Sequence, residues 1–311
     1  MRKINLLYRG SNSVALSWHG TLGILRAMER QGLLHYAFDS YSPMRELDFK
    51  KMQAYPILIM KGYHESCHSI IDQLHGTQFI ANIESESLLN KDGSPQNMDG
   101  YNREYSKKFD LIFAHGTKDC KNYYGRTAIP YHCFIDCQMF RSAKPPISRK
   151  LAFIGSTRER EGFIKMCEIA VPIHVETTEK LETGEATAIK LVETMCEHPF
   201  LLSGLGKVSR YLSGRTYEIM ACERVCFQYI DNECLDEFDS SILKDGYNIV
   251  FFRNGRELRD KFNYYSSRPD LCHTIAKQAR STALEHNDLD KMCHYFVNHM
   301  YNAMESKCLA A

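Results

Sequence analysis

Short apolar runs alternate with amphipathic stretches along the whole chain. Residues 4–8 (Ile-Asn-Leu-Leu-Tyr) read as a first buried strand, closed by the small polar turn Arg9-Gly10-Ser11-Asn12-Ser13. A helix is predicted from Thr21 to Gln31, with Leu22, Leu25, Ala27 and Met28 apolar and Gly32 as its stop. Strands are predicted next at 36–41, 55–60, 78–83, 109–114 and 128–134, with helices at 66–74 and up to Tyr124 among them. The pattern breaks at 141–150, where Pro145-Pro146 stand among polar and basic residues, as in a linker.

It restarts at 151–156 (Leu-Ala-Phe-Ile-Gly-Ser), a strand with a Gly-Ser turn. Helices at 162–170 and 186–197 and strands at 173–175 and 200–203 continue it. A helix opening at Ser213-Gly214, strands at 225–229 and 247–252, helices at 256–265 and 270–285, and a last amphipathic helix at about 289–304 complete the chain. Such alternation implies parallel sheets covered on both faces by helices. The expected fold class is α/β with two Rossmann-like, doubly wound domains, 1–145 and 150–288. The helix at about 289–311 is expected to pack back on the first. Ligands of such sheets sit beyond the carboxyl ends of the strands.

Chemistry concentrates in residues 212–227. Ser213-Gly214 lets backbone approach a ligand closely. Arg215 and Glu218 are three apart and share one face of the first helical turn. A helix start beside an arginine suits an anion, and a carboxylate one turn on suits ribose hydroxyls. The same residues equally describe an N-capped core helix with a surface ion pair.

Composition narrows the setting. With 44% hydrophobic and 25% charged residues, the 311-residue chain reads as a globular protein. The apolar run at the start is too short for a secretion signal, and no stretch approaches the roughly 20 residues of a membrane span. A cytoplasmic protein is expected, its 12 cysteines reduced. No paired C-x-x-C knuckles occur, which argues against structural zinc. Charge is uneven: 20 Lys and Arg face 14 Asp and Glu in residues 1–150, while 19 face 24 in the rest.

Residues 213–222 (Ser-Gly-Arg-Thr-Tyr-Glu-Ile-Met-Ala-Cys) resemble the R-x-[FY]-E-x-M-A signature of GT-B-fold nucleotide-sugar glycosyltransferases. The pattern is most similar to the spore-maturation-type, glycosyl transferase group 1 family. Phe153-Ile154-Gly155-Ser156 resembles the strand that opens the second domain of that family. Residues 247–252 with Glu257-Leu258, and the passage from Pro130 to Phe140 with Asp136, are similar to further segments. The resemblance covers residues 130–290 well and the first half through architecture alone. It implies two domains facing a cleft, the first on the acceptor side and the second holding the donor.

It further implies a hexosyl- or pentosyltransferase, retaining, with the nucleotide-sugar as co-substrate and no cofactor or obligatory metal. Glu218 would hold the ribose, and Arg215, Ser213 and Gly214 would face the diphosphate. Arg158 or Arg160, after the Gly155-Ser156 turn, would add a cation for the leaving group. His115, at a strand end, would be catalytic from the first domain, contacting the donor sugar or polarising the reacting region. Gly10 and Ser11 would close over the phosphates, with His19-Gly20 a weaker candidate. Where relatives carry a further Glu two turns before the ribose Glu, this chain has Arg210, near Ser209 and Lys207. The donor sugar contact is therefore altered.

Acceptors compatible with the pattern include a modified DNA base, as in phage-type DNA glycosylation, a polysaccharide or a protein. The basic first half and linker keep a polyanion open. Two other readings stand beside transfer: a nucleotide-sugar-binding module without turnover, and a zinc metallopeptidase. The latter rests on His64-Glu65-Ser66-Cys67-His68, which matches H-E-x-x-H, with Glu84 or Glu86 as a distant third ligand.

Overall fold

Runs that lack a polar face become the central strands, because a parallel sheet is covered on both sides and tolerates no wet face. The computed structural model describes residues 2–8, 21–39, 52, 55–60, 65–84, 105–115, 128–131, 133–141, 145–157, 160–177, 185–204, 212–231 and 241–310. The chain divides into two compact units, Met1–His132 with Leu289–Ala311, and Cys133–Asp288.

The first unit holds β1 (Ile4–Tyr8), α1 (Thr21–Arg30), β2 (Leu34–Asp39), β3 (Ile57–Met60), α2 (Glu65–Leu74), β4 (Ile80–Glu84), β5 (Leu111–His115) and β6 (Ile129–Tyr131). Its six strands are parallel in the order β2-β1-β3-β4-β5-β6. β6 is shorter than the predicted 128–134. It contains Pro130, which donates no ladder bond and is accommodated because β6 is an edge strand.

The second unit contains β7 (Leu151–Gly155), α3 (Glu161–Ala170), β8 (Ile173–Thr177), α4 (Glu185–Glu197) and β9 (Phe200–Ser203). It goes on with α5 (Gly214–Ala221), β10 (Val225–Tyr229), β11 (Val250–Phe252), α6 (Gly255–Ser266) and α7 (Pro269–His286). Five parallel strands run β11-β10-β9-β7-β8. Phe200 meets Phe227 edge to face at 6.0 Å in its core, a favoured aromatic geometry. The predicted strand at 247–252 shrinks to β11. Before it, Asn248 donates to Ile242 O and accepts from Lys244 N in a turn with Gly246 at φ 71.

The last helix, α8 (Leu289–Ala310), belongs to the first unit. Phe296 buries against Phe113, Tyr301 Oη donates to Lys3 O, and Asp290 pairs with Arg30 at 2.7 Å.

The break between units falls at His132/Cys133, ahead of the proline linker, for a local reason. Residues 133–140 are bound into the second unit: Ile135 N donates to Asn287 O, and Asn287 Nδ2 donates to Cys133 O at 2.7 Å. Arg280 donates to the carbonyls of Cys137 and Phe140. This division also redistributes charge, since Arg141, Lys144, Arg149 and Lys150 fall to the second unit. The first unit has 18 Lys and Arg against 15 Asp and Glu, and the second 21 against 23. The basic excess of residues 1–150 is thus shared with the linker.

Candidate donor site

In the second sheet the strand order reverses beside β7: β8 lies on one side of it and β9 on the other. The carboxyl ends of β7 and β9 therefore flank a topological switch point, the place where doubly wound sheets bind ligands. Gly155-Ser156 ends one strand and Ser203-Gly204 ends the other.

α5 begins at the same edge. Its N-cap, Ser213, has extended backbone (φ −70, ψ 156), but its side chain makes no capping bond. The hydroxyl lies instead 3.2 Å from Ser203 Oγ. Ser203 Oγ also meets Thr216 Oγ1 at 3.0 Å, and Thr216 Oγ1 donates to Gln228 Oε1 at 2.6 Å. Gln228 Nε2 then donates to Tyr229 O. This buried chain ties the first turn of α5 to β9 and β10. It occupies the residue that would otherwise cap the helix, and no acidic residue stands in the first turn. The amino end of α5 keeps the character of an anion site.

Small residues matter here at two positions. A Cβ on Gly214 would lie 3.3 Å from Cys133 Sγ, and one on Gly204 would lie 3.3 Å from the Phe163 ring. At Gly155 it would make ordinary contact with Phe153. Burial, with the negative charge of Glu218 second, pushes the Cys133 thiol up to about 12, so it stays protonated.

Glu218 is almost wholly buried, and its Oε2 lies 2.6 Å from Arg215 Nη1. Arg215 also reaches Met195 Sδ at 4.0 Å. Its Nη1 thus lies between the carboxylate and the Met195 sulfur. Arg160 is the N-cap residue of α3 and folds back, Nη1 donating to Ser156 O at 3.0 Å. The structure therefore brings Gly155, Ser156, Arg160, Ser213, Gly214, Arg215 and Glu218 to one edge of one sheet. Glu257, part of the quoted family pattern, accepts from Arg253 N, and its own N–H is capped by Asn254. Its role is to cap the start of α6, as in a capping box but reaching one residue further back.

His115 ends β5 in the first unit, and its side chain is outside the described residues, as are Gly10, Ser11, His19, Gly20, Arg158, Lys207, Ser209 and Arg210. Of the H-E-x-x-H match, His64 and the Glu65 side chain are outside them too; His68 stacks on Tyr105 at 4.4 Å. Among the described residues no group of three His, Cys, Asp or Glu is placed to hold a metal. No helix among them is long and apolar enough to cross a membrane. Sequence reading missed Ser203, Thr216, Gln228 and Cys133. The one available signal was Ser203-Gly204, a second small pair at a strand end.

Residues 151–298 match a family described as glycosyl transferase-like. Comparison with curated proteins finds no match. Among solved structures the chain is similar to TarM of S. aureus, at 11% identity and TM-score 0.57, over 80% of this chain and 55% of that one. It is similar to HepE of Anabaena in complex with UDP, at 10% identity and TM-score 0.61, over 96% and 100%. A third likeness is an alpha-glucosyltransferase in complex with UDP-glucose and DNA containing an abasic site, at 12% identity and TM-score 0.61, over 96% and 99%. The chain thus spans about half the length of TarM and nearly all of the other two. At these identities the likeness is one of fold.

Proposed function

We propose that this chain, a glycosyltransferase of the GT-B fold, transfers a sugar from a uridine diphosphate sugar with retention at the anomeric carbon. One observation carries the donor reading. The amino end of α5, free of a side-chain cap, stands at the switch point between Gly155-Ser156 and Ser203-Gly204. Backbone amides at Ser213-Gly214 take the diphosphate, and Glu218 takes the ribose hydroxyls. Arg215, seated on Glu218, orients that carboxylate. Arg160 and Arg158 supply positive charge to the leaving nucleotide.

Bond breaking at the anomeric carbon leaves negative charge on the departing diphosphate. Preorganised amides and guanidinium groups stabilise that charge where it develops. Positioning supplies the rest.

A thermal-shift series tests the donor site with UDP, UDP-glucose, UDP-N-acetylglucosamine and GDP-mannose on wild type and Glu218→Gln. A bound donor at a hundredfold its Kd stabilises by about 2.7 kcal/mol. Shifts equal in both proteins would remove Glu218 from the site. Binding without transfer or hydrolysis on any acceptor would favour a binding module over an enzyme.

A polyanionic acceptor, such as DNA with a modified base, is the second reading. The net positive first unit favours it, as does similarity to the DNA-bound alpha-glucosyltransferase. Transfer to DNA should then fall steeply between 50 and 200 mM salt, on the order of 10³-fold for six phosphate contacts. Salt-insensitive transfer points to a polysaccharide or protein acceptor.

A further inference from the structure

The chain passes between its units at 132/133 and again at 288/289. On the side of the second unit the two passages are bound to each other. Ile135 bridges Asp288, Ile135 N donates to Asn287 O at 2.8 Å, and buried Asn287 reaches Cys133 O. From there the first passage forms a turn. Asp136 Oδ1 accepts from Gln138 N and Met139 N, and Phe140 is fully buried.

This passage is tied to both ends of α5. At the amino end Cys133 Sγ closes on Gly214. At the other end one side chain spans the gap: Arg280, on α7, donates through Nη1 to Ala221 O and Phe140 O, and through Nη2 to Cys137 O at 3.0 Å. Ala221 is the last residue of α5, so the guanidinium also complements the negative end of that helix. A planar fork with fixed donors holds three carbonyls in one geometry, which the rotatable ammonium of a lysine on its flexible stem does not fix.

We propose that Arg280 is a positioning residue that locks α5 and the passage 133–140 into one body. What grips the nucleotide and what joins the two units then move together. The consequence for turnover rests on the donor-site reading given above; the locking itself does not.

Amide hydrogen exchange on the full chain tests it, with wild type, Arg280→Met and Arg280→Lys, each with and without UDP. Without nucleotide, Arg280→Met should speed exchange about tenfold at both 221–224 and 137–141, leaving β7 unchanged. Release at one of these segments alone, or at neither, overturns the proposal. With UDP, wild type should gain protection at 213–218 and 133–140 together, and Arg280→Met at 213–218 alone. Equal protection of 133–140 in both proteins also overturns it. If UDP protects nothing at 213–218, the donor-site reading fails, and the nucleotide-free comparison alone decides the role of Arg280.

Arg280→Lys guards against a methionine variant that does not fold. Per UDP-binding site, it should lower kcat by tenfold or more while KM for the donor stays within about twofold. A merely structural arginine would reduce the number of active sites and leave kcat per site unchanged, which would overturn the proposal.

Discussion

Arg215 Nη1 lies 2.6 Å from Glu218 Oε2, one turn along α5, with the arginine side chain 21% exposed and the glutamate 2%. A carboxylate so deeply placed needs its partner, because an uncompensated buried charge costs far more than the pair contributes. Arg215→Met should therefore destabilise by about 3 kcal/mol, and Arg215→Met with Glu218→Gln by clearly less. Urea unfolding of the two variants measures this. If Arg215→Met loses UDP affinity at unchanged stability, the guanidinium serves the diphosphate instead.

The hydroxyl chain Ser203–Thr216–Gln228 is buried throughout. Thr216→Val keeps the shape and removes the hydroxyl, stranding its partners. A loss of about 1–3 kcal/mol follows, with Thr216→Ser near wild type. Because Ser203 also holds Ser213, Thr216→Val should weaken UDP binding as well; calorimetry on the two variants separates these effects.

His198 is buried, stacks on His174 at 5.1 Å, and its Nδ1 has no hydrogen-bond partner among the described residues. Burial first, then His174, lowers its pKa, against smaller opposing effects of the Lys150 backbone, Glu197 and Glu176. The unfolded chain then binds the proton more readily than the folded one. Stability from the neutral ring is fully present above the unfolded value of about 6.5, and is lost as pH falls from there through the folded value. Melting temperature should drop between pH 7 and 5, and His198→Phe should flatten that slope.

Glu223 has φ 57, and it stands just past α5. Glu223 N donates to Met220 O and Arg224 N to Ile219 O, the pattern of a Schellman cap whose left-handed residue is normally glycine. Glu223→Gly should stabilise by about 0.5–1 kcal/mol, the relief of left-handed strain less the extra chain entropy. An unchanged denaturation midpoint would mean that the glutamate side chain makes up the difference.

Much of the fold was legible residue by residue. Residues 57–60, 151–154 and 200–202 are apolar without a break, and each run lies in a fully buried strand. The strand predicted at 128–134 ran too far, because hydrophobicity does not reveal that β6 is an edge strand or that Cys133 onward turns toward Asn287. Pro145-Pro146 marked a linker, yet the units part earlier, since bonds from Arg280 and Asn287 cross more than 140 positions of sequence.

Residues 213–222 show the same division. Local sequence by itself determined that Ser213-Gly214 opens a helix and that Arg215 and Glu218 share its face, because a 3.6-residue repeat fixes near neighbours. Tertiary structure alone decided that Ser213 turns from capping toward Ser203, that Cys133 closes on Gly214, and that Arg280 holds the far end of the helix. Each of these contacts joins residues distant in the chain, and only the packing of α5 against β9, α7 and the passage 133–140 brings them together.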